Sequence, residues 1–176
     1  MCLPENIDEN LITEDQIEMG YDFLHLAPPQ SAPKFIQQSD ISIQEGPGKG
    51  WVDVDKHSLQ HKRFPNIFAL GDVAALPTAK TGAAIRKQAP VVVENLIELI
   101  QKKKLSTKIY EGYSSCPIIT GYGKMLLAEF NYDNVPAPDP IISKFVDTSK
   151  EQYSMWLLKK YGLPFMYWNL MLKGLA

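Results

Sequence analysis

Large apolar and polar side chains alternate over Tyr21-Asp22-Phe23-Leu24-His25-Leu26, a period that predicts a strand. Ala27-Pro28-Pro29 stops it, because proline has no N–H to give a ladder. Residues 30–50 carry no sustained period and read as loop, closing on the turn-rich Gly46-Pro47-Gly48-Lys49-Gly50. Trp51-Val52-Asp53-Val54 predicts a short strand, and residues 57–63 a polar connector. Ile67-Phe68-Ala69-Leu70 is an unbroken apolar run, the pattern of a strand buried on both faces, and Gly71-Asp72 ends it. After Pro77, Ile85, Val92, Leu96, Leu99 and Ile100 recur near helical spacing and predict a helix from Thr81-Gly82 to about Lys103. Pro90 predicts a kink or break near Ala89, and Lys102-Lys103-Lys104 lie where cations suit the helix dipole.

In the second half, residues 117–122 and 124–130 read as two strands of a hairpin about Gly123. Pro136, Pro138 and Pro140 mark a loop. Thr148 and Glu151 have the spacing of a capping box, so a helix is expected to start there and to end near Gly162 as its C′ residue. Pro164 then suits the first position of another short helix. The first twenty residues are acidic and weakly patterned, a tail or a leftover strand. No internal repeat is present.

Composition narrows the class. At 176 residues, 45% apolar and 22% charged, the chain suits one folded domain with a small appendage. No apolar run approaches a membrane span, and the N-terminus lacks the basic and apolar regions of a secretory signal. Two cysteines, Cys2 and Cys116, build no disulfide framework, which favours a reducing compartment, and no His/Cys cluster has zinc spacing. Residues 1–60 hold eleven acids and three bases, residues 61–176 nine acids and fifteen bases. The bases are scattered lysines with no base-reading motif, so nucleic acid is not an expected partner. His25 reads as a packed strand histidine, and His57 and His61 as surface residues, none of them catalytic.

The stretch with chemical content is Ile67–Asp72 followed by Thr81-Gly82-Ala83-Ala84. Gly71 permits close backbone approach, Asp72 can accept bonds from sugar-type hydroxyls, and the amides at 81–83 open a helix N-terminus that favours negative charge. A plain structural turn is the competing reading, as a buried inert thiol is for Cys116. Residues 153–176 hold six of the eighteen aromatics with Lys159, Lys160 and Lys173, which suits either an interfacial segment or core packing.

Phe64-Pro65-Asn66-Ile67-Phe68-Ala69-Leu70-Gly71-Asp72 resembles the second FAD motif of the pyridine nucleotide-disulfide oxidoreductase superfamily. Leu24–Pro29, Gly50–Asp55, Leu76–Thr81, Tyr113-Ser114-Ser115-Cys116-Pro117, Leu-Ala-Glu-Phe and Pro-Phe-Met-Tyr-Trp-Asn resemble, in order, sulfide:quinone oxidoreductases. The resemblance runs from about Tyr21 to the end. It implies an α+β C-terminal part of a two-dinucleotide-binding-domain flavoprotein. Residues 21–104 would be the closing strand and helix of the FAD domain, and residues 105–176 a small α/β cap. It implies that Asp72 bonds the ribityl chain and that Gly71 and Val73 lie against FAD. Lys80, Thr81 and Gly82 would lie near the flavin pyrimidine edge, and Cys116 would be one of two redox cysteines.

Phe165, Tyr167 and Trp168 would lie on the quinone or membrane side. Sulfide, a sulfur acceptor, a quinone and a membrane surface are the implied partners, with a homo-oligomer left open. The implied location is peripheral: the cytoplasmic face of a bacterial membrane, or the mitochondrial inner membrane in a eukaryote. No Gly-x-Gly-x-x-Gly fingerprint is present and Cys2 has no matching context. The other cysteine and the main pyrophosphate site are therefore expected upstream, more amphipathic helix beyond Ala176, and the isolated chain inactive. The alternatives are a type II NADH:quinone reductase-like flavoprotein, whose chemistry needs no thiol, and a non-catalytic dimerisation or membrane-docking domain.

Overall fold

In the computed structural model the described residues are 20–140 and 142–175. Contacts divide the chain into two units, residues 1–30 and 31–176. Residues 1–19, with Cys2 and nearly all of the acidic stretch, lie outside the described part. Of the first unit, Tyr21–Leu26 is not a strand. None of these residues makes a bridge, and Phe23 and Leu26 are 86% and 76% exposed. Alternation marks a segment that could pair; with no ladder partner among the described residues, its backbone groups stay with water. His25 is accordingly exposed rather than packed.

The second unit begins with a one-turn helix α1 (Lys34–Gln37), inside the segment expected to be loop. The long helix α2 (Gly82–Lys102) follows the expectation closely. Thr81 is its N-cap, with Oγ1 accepting from the Ala84 amide at 3.2 Å. Lys103 closes it in the left-handed conformation at φ +56°. Pro90 does not break it, since the helix runs on through it from Gly82 to Lys102. Proline strands the carbonyl four residues back, but Pro90 lies on the exposed side of α2, where that carbonyl can be hydrated.

Between α1 and α2 the chain is held by single bridges rather than by strands. Val52 carries two of the four: toward Ala74 its amide donates to Val73 O at 2.9 Å, and its carbonyl accepts from Ala75 N at 2.9 Å. The predicted Trp51–Val54 strand is thus two separate bridges, at Val52 and Val54. The Ile67–Leu70 run bridges only through Phe68 to Gln60 and is half-buried except at Ala69, not sheathed on both faces. Val52, Val54, Ala69 and Ala74 close one apolar cluster, and Leu59, Val91, Val92, Tyr110 and Tyr132 the other. Each fully buried aliphatic here contributes roughly 1.5–3 kcal/mol.

His61 is 2% exposed, not a surface residue. Its Nε2 donates to Ile41 O at 2.9 Å, while Nδ1 accepts from the Arg63 and Phe64 amides at 3.0 and 3.1 Å. One neutral imidazole therefore satisfies three backbone groups that the bridges leave over.

The hairpin forms as expected: β1 (Ser114–Gly121) pairs antiparallel with β2 (Lys124–Phe130), with a register irregularity between Ile119 and Gly121. The C-terminal helices depart from expectation at both ends. Gln152 N donates to Met125 O at 2.9 Å, which holds Gln152 extended as the N-cap. The helix α3 (Tyr153–Leu157) therefore starts only at Tyr153, and no capping box forms. Thr148 is instead buried with its hydroxyl toward Glu129, and Glu151 pairs with Lys124 at 3.3 Å. Gly162 does not end the helix. It has right-handed φ/ψ of −68°/−48° and lies in a π-helical turn, Leu158–Gly162, that runs directly into α4 (Leu163–Asn169), with Pro164 in its first turn. A Cβ at Gly162 would meet the tip of the Leu158 side chain, Cδ1 at 2.7 Å, and the right-handed Gly162 backbone makes no left-handed cap.

Replacing His61 with Ala removes partners from three backbone groups at once. Its expected cost is about 2–4 kcal/mol, seen as a lowered Tm in thermal melts followed by circular dichroism.

Candidate functional site

The Gly71–Val73 turn leaves the end of the Ile67–Leu70 segment in a left-handed conformation, φ +71° at Gly71. Gly71 N donates to Oε1 of Gln88, a residue of α2 that is 2% exposed, at 2.7 Å. A Cβ on Gly71 would press on Ile85 at 3.2 Å, so both backbone angle and space select glycine. Asp72 presents its carboxylate at the exposed surface. Lys80 lies against the turn: Nζ donates to Asp72 O at 2.6 Å and to Ala74 O at 2.8 Å, and sits 3.9 Å from the centre of the Trp51 ring. Burial lowers the Lys80 pKa from its ordinary value, and the nearby Asp72 charge opposes that shift.

A cleft of about 480 Å³ opens between the first turn of α2, the β1–β2 hairpin and α4. That size lies within the roughly 300–1,000 Å³ span of small-molecule sites. Thr81, Gly82 and Ala83 line it from the start of α2, Ser115, Cys116 and Pro117 from β1, and Leu163, Met166 and Tyr167, a mainly apolar group, from α4. The amides of Gly82 and Ala83 precede the first intrahelical bond, and a Cβ at Gly82 would meet nothing within 4 Å. Cys116 is exposed and is the free cysteine among the described residues. Lys159, in the π turn, donates to Pro117 O at 3.1 Å and ties the helix to the strand beside the thiol.

The structure thus brings four sequence-predicted residues, Thr81, Gly82, Cys116 and Tyr167, to one cleft. Gly71 and Lys80 line a small adjoining hollow with Gln88 and share Thr81 with the cleft. Asp72 and Val73 sit on the turn outside it. Phe165 and Trp168 are 62% and 65% exposed and do not line the cleft.

Three charged lining residues escaped the sequence reading, Arg86, Glu129 and Asp139. Glu129 is 5% exposed and accepts from Tyr113 Oη at 2.6 Å and from the Asp139 amide at 3.0 Å. The signal was available, because Met125, Leu127 and Glu129 fall on alternate positions of β2 and therefore on one face. Burial, reinforced by the Glu129 carboxylate, pushes the Tyr113 pKa up from 10.0 to about 12.

No protein-family model matches the chain. Among curated proteins it is similar to an oxidoreductase class defined by sulfur and quinone chemistry. The relatives are mitochondrial sulfide:quinone oxidoreductases: from Mus musculus, 44% identical over 154 residues; from Schizosaccharomyces pombe, 43% over 162; and from Dictyostelium discoideum, 46% over 155. These matches cover 88–92% of this chain and 32–34% of the relatives, so the chain spans about a third of their length. The resemblance read from the motifs therefore holds along nearly the whole chain. Among solved structures it is similar to a chain of the Tetrahymena thermophila mitochondrial ATP synthase F1Fo assembly, at 26% identity and a TM-score of 0.64, covering 79% of this chain and 32% of that one.

Because the folded-state pKa of Tyr113 is raised, its contribution to stability is complete below pH 10 and is lost as pH rises toward 12. Tyr113→Phe is expected to make the alkaline loss of stability shallower across that window. Chemical denaturation at a series of pH values checks it.

Proposed function

We propose that this chain supplies the thiol and one end of the cofactor pocket of an enzyme that oxidises sulfide to persulfide or polysulfide sulfur and reduces a quinone through FAD. The observation that carries the reading is the meeting of Thr81, Gly82, Cys116 and Tyr167 on one cleft. Its context is a chain 43–46% identical to three sulfide:quinone oxidoreductases.

The residues fit the cofactor. Gly82 faces open space, the first-turn amides are free for an anionic edge, and Asp72 offers an exposed acceptor for hydroxyls. When bound, FAD supplies two-electron chemistry between sulfur and quinone. Asp72 would hold the sugar-alcohol chain, Gly71 and Val73 would lie against the group, and Thr81, Gly82 and the α2 dipole would favour negative charge on its ring. Lys80 belongs to the same end of the pocket.

Cys116 would carry the sulfur. Hydrosulfide attacks a sulfur bridge between Cys116 and a second cysteine. One new S–S bond forms as the bridge opens, leaving a persulfide on one side and a thiolate on the other. The persulfide sulfur would pass to a nucleophilic acceptor, leaving two thiolates, and re-forming the bridge between Cys116 and the second cysteine would release the two electrons that FAD takes up when bound. Tyr167 and the apolar wall of α4 would admit the quinone. Exposed Phe165, Trp168 and Leu172 with Lys173 suit contact with a lipid surface, and the mitochondrial relatives favour a mitochondrial location over a bacterial one, for which the inner membrane is our reading. Among the described residues no helix is long and apolar enough to cross a membrane.

A second reading, a non-catalytic domain within a larger assembly, is favoured by the likeness to a chain of an ATP synthase assembly. Cys116→Ser separates the two. In the flavin-loaded protein, sulfide-dependent bleaching of the flavin absorbance is expected to fall to background in the variant. Unchanged sulfide-dependent bleaching would remove Cys116 from the sulfur chemistry; bleaching of the unaltered full-length protein by NADH but not by sulfide would favour the NADH:quinone reductase reading, and bleaching by neither the non-catalytic one. The 176-residue chain alone is expected to purify without stoichiometric flavin, and tight one-to-one flavin in its visible spectrum would contradict the half-site.

A further inference from the structure

The Lys80 ammonium has three protons to give. Two go to backbone carbonyls of the turn region, Asp72 O at 2.6 Å and Ala74 O at 2.8 Å. Its other face is covered by the Trp51 ring, whose centre is 3.9 Å away, inside the usual 6 Å limit of a cation–π contact. Trp51 is itself placed by its neighbour, since Val52 is bonded to Val73 and Ala75 on either side of Ala74. Trp51, Lys80 and the carbonyls of Asp72 and Ala74 thus form a closed loop of contacts around the turn that carries Asp72. Gln88 holds the other side of the turn through Gly71 N.

We propose that Lys80 and Trp51 act together as positioning residues: their clasp fixes the Gly71–Val73 turn, so that Asp72 is presented at a set height to the ligand while Lys80 itself does not touch it. This replaces the role that the motif resemblance implies for Lys80, a cation beside the flavin ring, and it gives a function to Trp51, which had none. The proposal rests on the FAD reading for the identity of the ligand but not for the existence of the clasp. The geometry explains why a lysine is present where burial disfavours its charge. Carbonyl dipoles and the indole face replace the water that the ammonium loses.

The test uses Trp51→Leu, Lys80→Met, the double variant and Lys80→Arg. In the chain itself, amide hydrogen exchange is read at Ala74 and Ala75, whose N–H groups bond Gly71 O and Val52 O. Both single variants are expected to speed exchange by about tenfold, the scale of a partly desolvated cation–π contact with its hydrogen bonds. The double variant is expected to add nothing further, and Lys80→Arg to restore protection, since a guanidinium can also stack and donate. Multiplying effects in the double variant, or exchange unchanged in Trp51→Leu, would overturn the clasp.

In the flavin-loaded protein, both single variants are expected to weaken FAD by the same factor in a fluorescence titration and to leave its reduction potential in place. A potential shift confined to Lys80→Met would show direct contact and overturn the positioning role. If the full-length parent that contains this chain binds no flavin, the cofactor reading fails, and the exchange experiment on the chain still decides the clasp.

Discussion

A buried amide decides where the candidate site can be. Gln88 sits inside α2 with almost no exposure, and its Oε1 takes the Gly71 amide at 2.7 Å. Seven residues on, Asn95 is fully buried and does the same for the far end of the helix, donating to Ser58 O and accepting from Ser106 N, both at 2.9 Å. A buried donor or acceptor without a partner costs about 1–3 kcal/mol, so the helix cannot slide or rotate without breaking these bonds. Apolar packing alone would tolerate small shifts; two amides on one buried face do not. The position of the helix N-terminus relative to the turn, and with it one end of the cleft, follows from that registration.

Around this fixed helix the rest is assembled from backbone bonds that are mostly not part of a sheet. Residues 41–76 knit through Val52, Val54, Gln60 and His61. The hairpin adds the wall that carries Cys116, and Glu129 draws Tyr113, the Asp139 amide and the Thr148 hydroxyl toward it. The cleft therefore joins segments far apart in the chain, tied across it at points such as the Lys159 bond to Pro117 O. An apolar wall facing a helix N-terminus and a thiol is a place where charge can be held at one end while a hydrophobic ligand is held at the other.

What could be read from the sequence followed from local rules. The Thr81 cap, the extent of α2 and the β1–β2 hairpin each depend on residues within a turn or two of one another, and the structure agrees with all three. The readings that failed were decided by distant partners. The spacing of Thr148 and Glu151 is that of a capping box, but the bond from Gln152 to Met125 O holds the preceding chain extended. Gly162 has the identity of a helix stop, but it keeps right-handed backbone angles and the chain runs on into α4. His61 has polar neighbours in sequence, but it is buried by Ile41 from twenty residues away. At the site, motif and chemistry pointed to Thr81, Gly82, Cys116 and Tyr167, which meet. The exposed Phe165 and Trp168 were grouped with Tyr167 by sequence adjacency, which on a helix separates faces rather than joining them.

The π turn between α3 and α4 has a consequence for how this region tolerates change in length. Successive residues of a helix are rotated by about 100°, so the phase of everything after the turn depends on the number of residues within it. With Leu158–Gly162 as they are, Met155 is buried on one side of the turn while Leu163, Met166 and Tyr167 face the cleft on the other. One residue fewer would leave a regular helix with the same composition and swing the following face off the cleft, bringing a neighbour such as Trp168 inward. The turn is in that sense a phase setting. Substitutions across it can be gradual, but a single insertion or deletion exchanges the wall facing Cys116 for the one facing solvent.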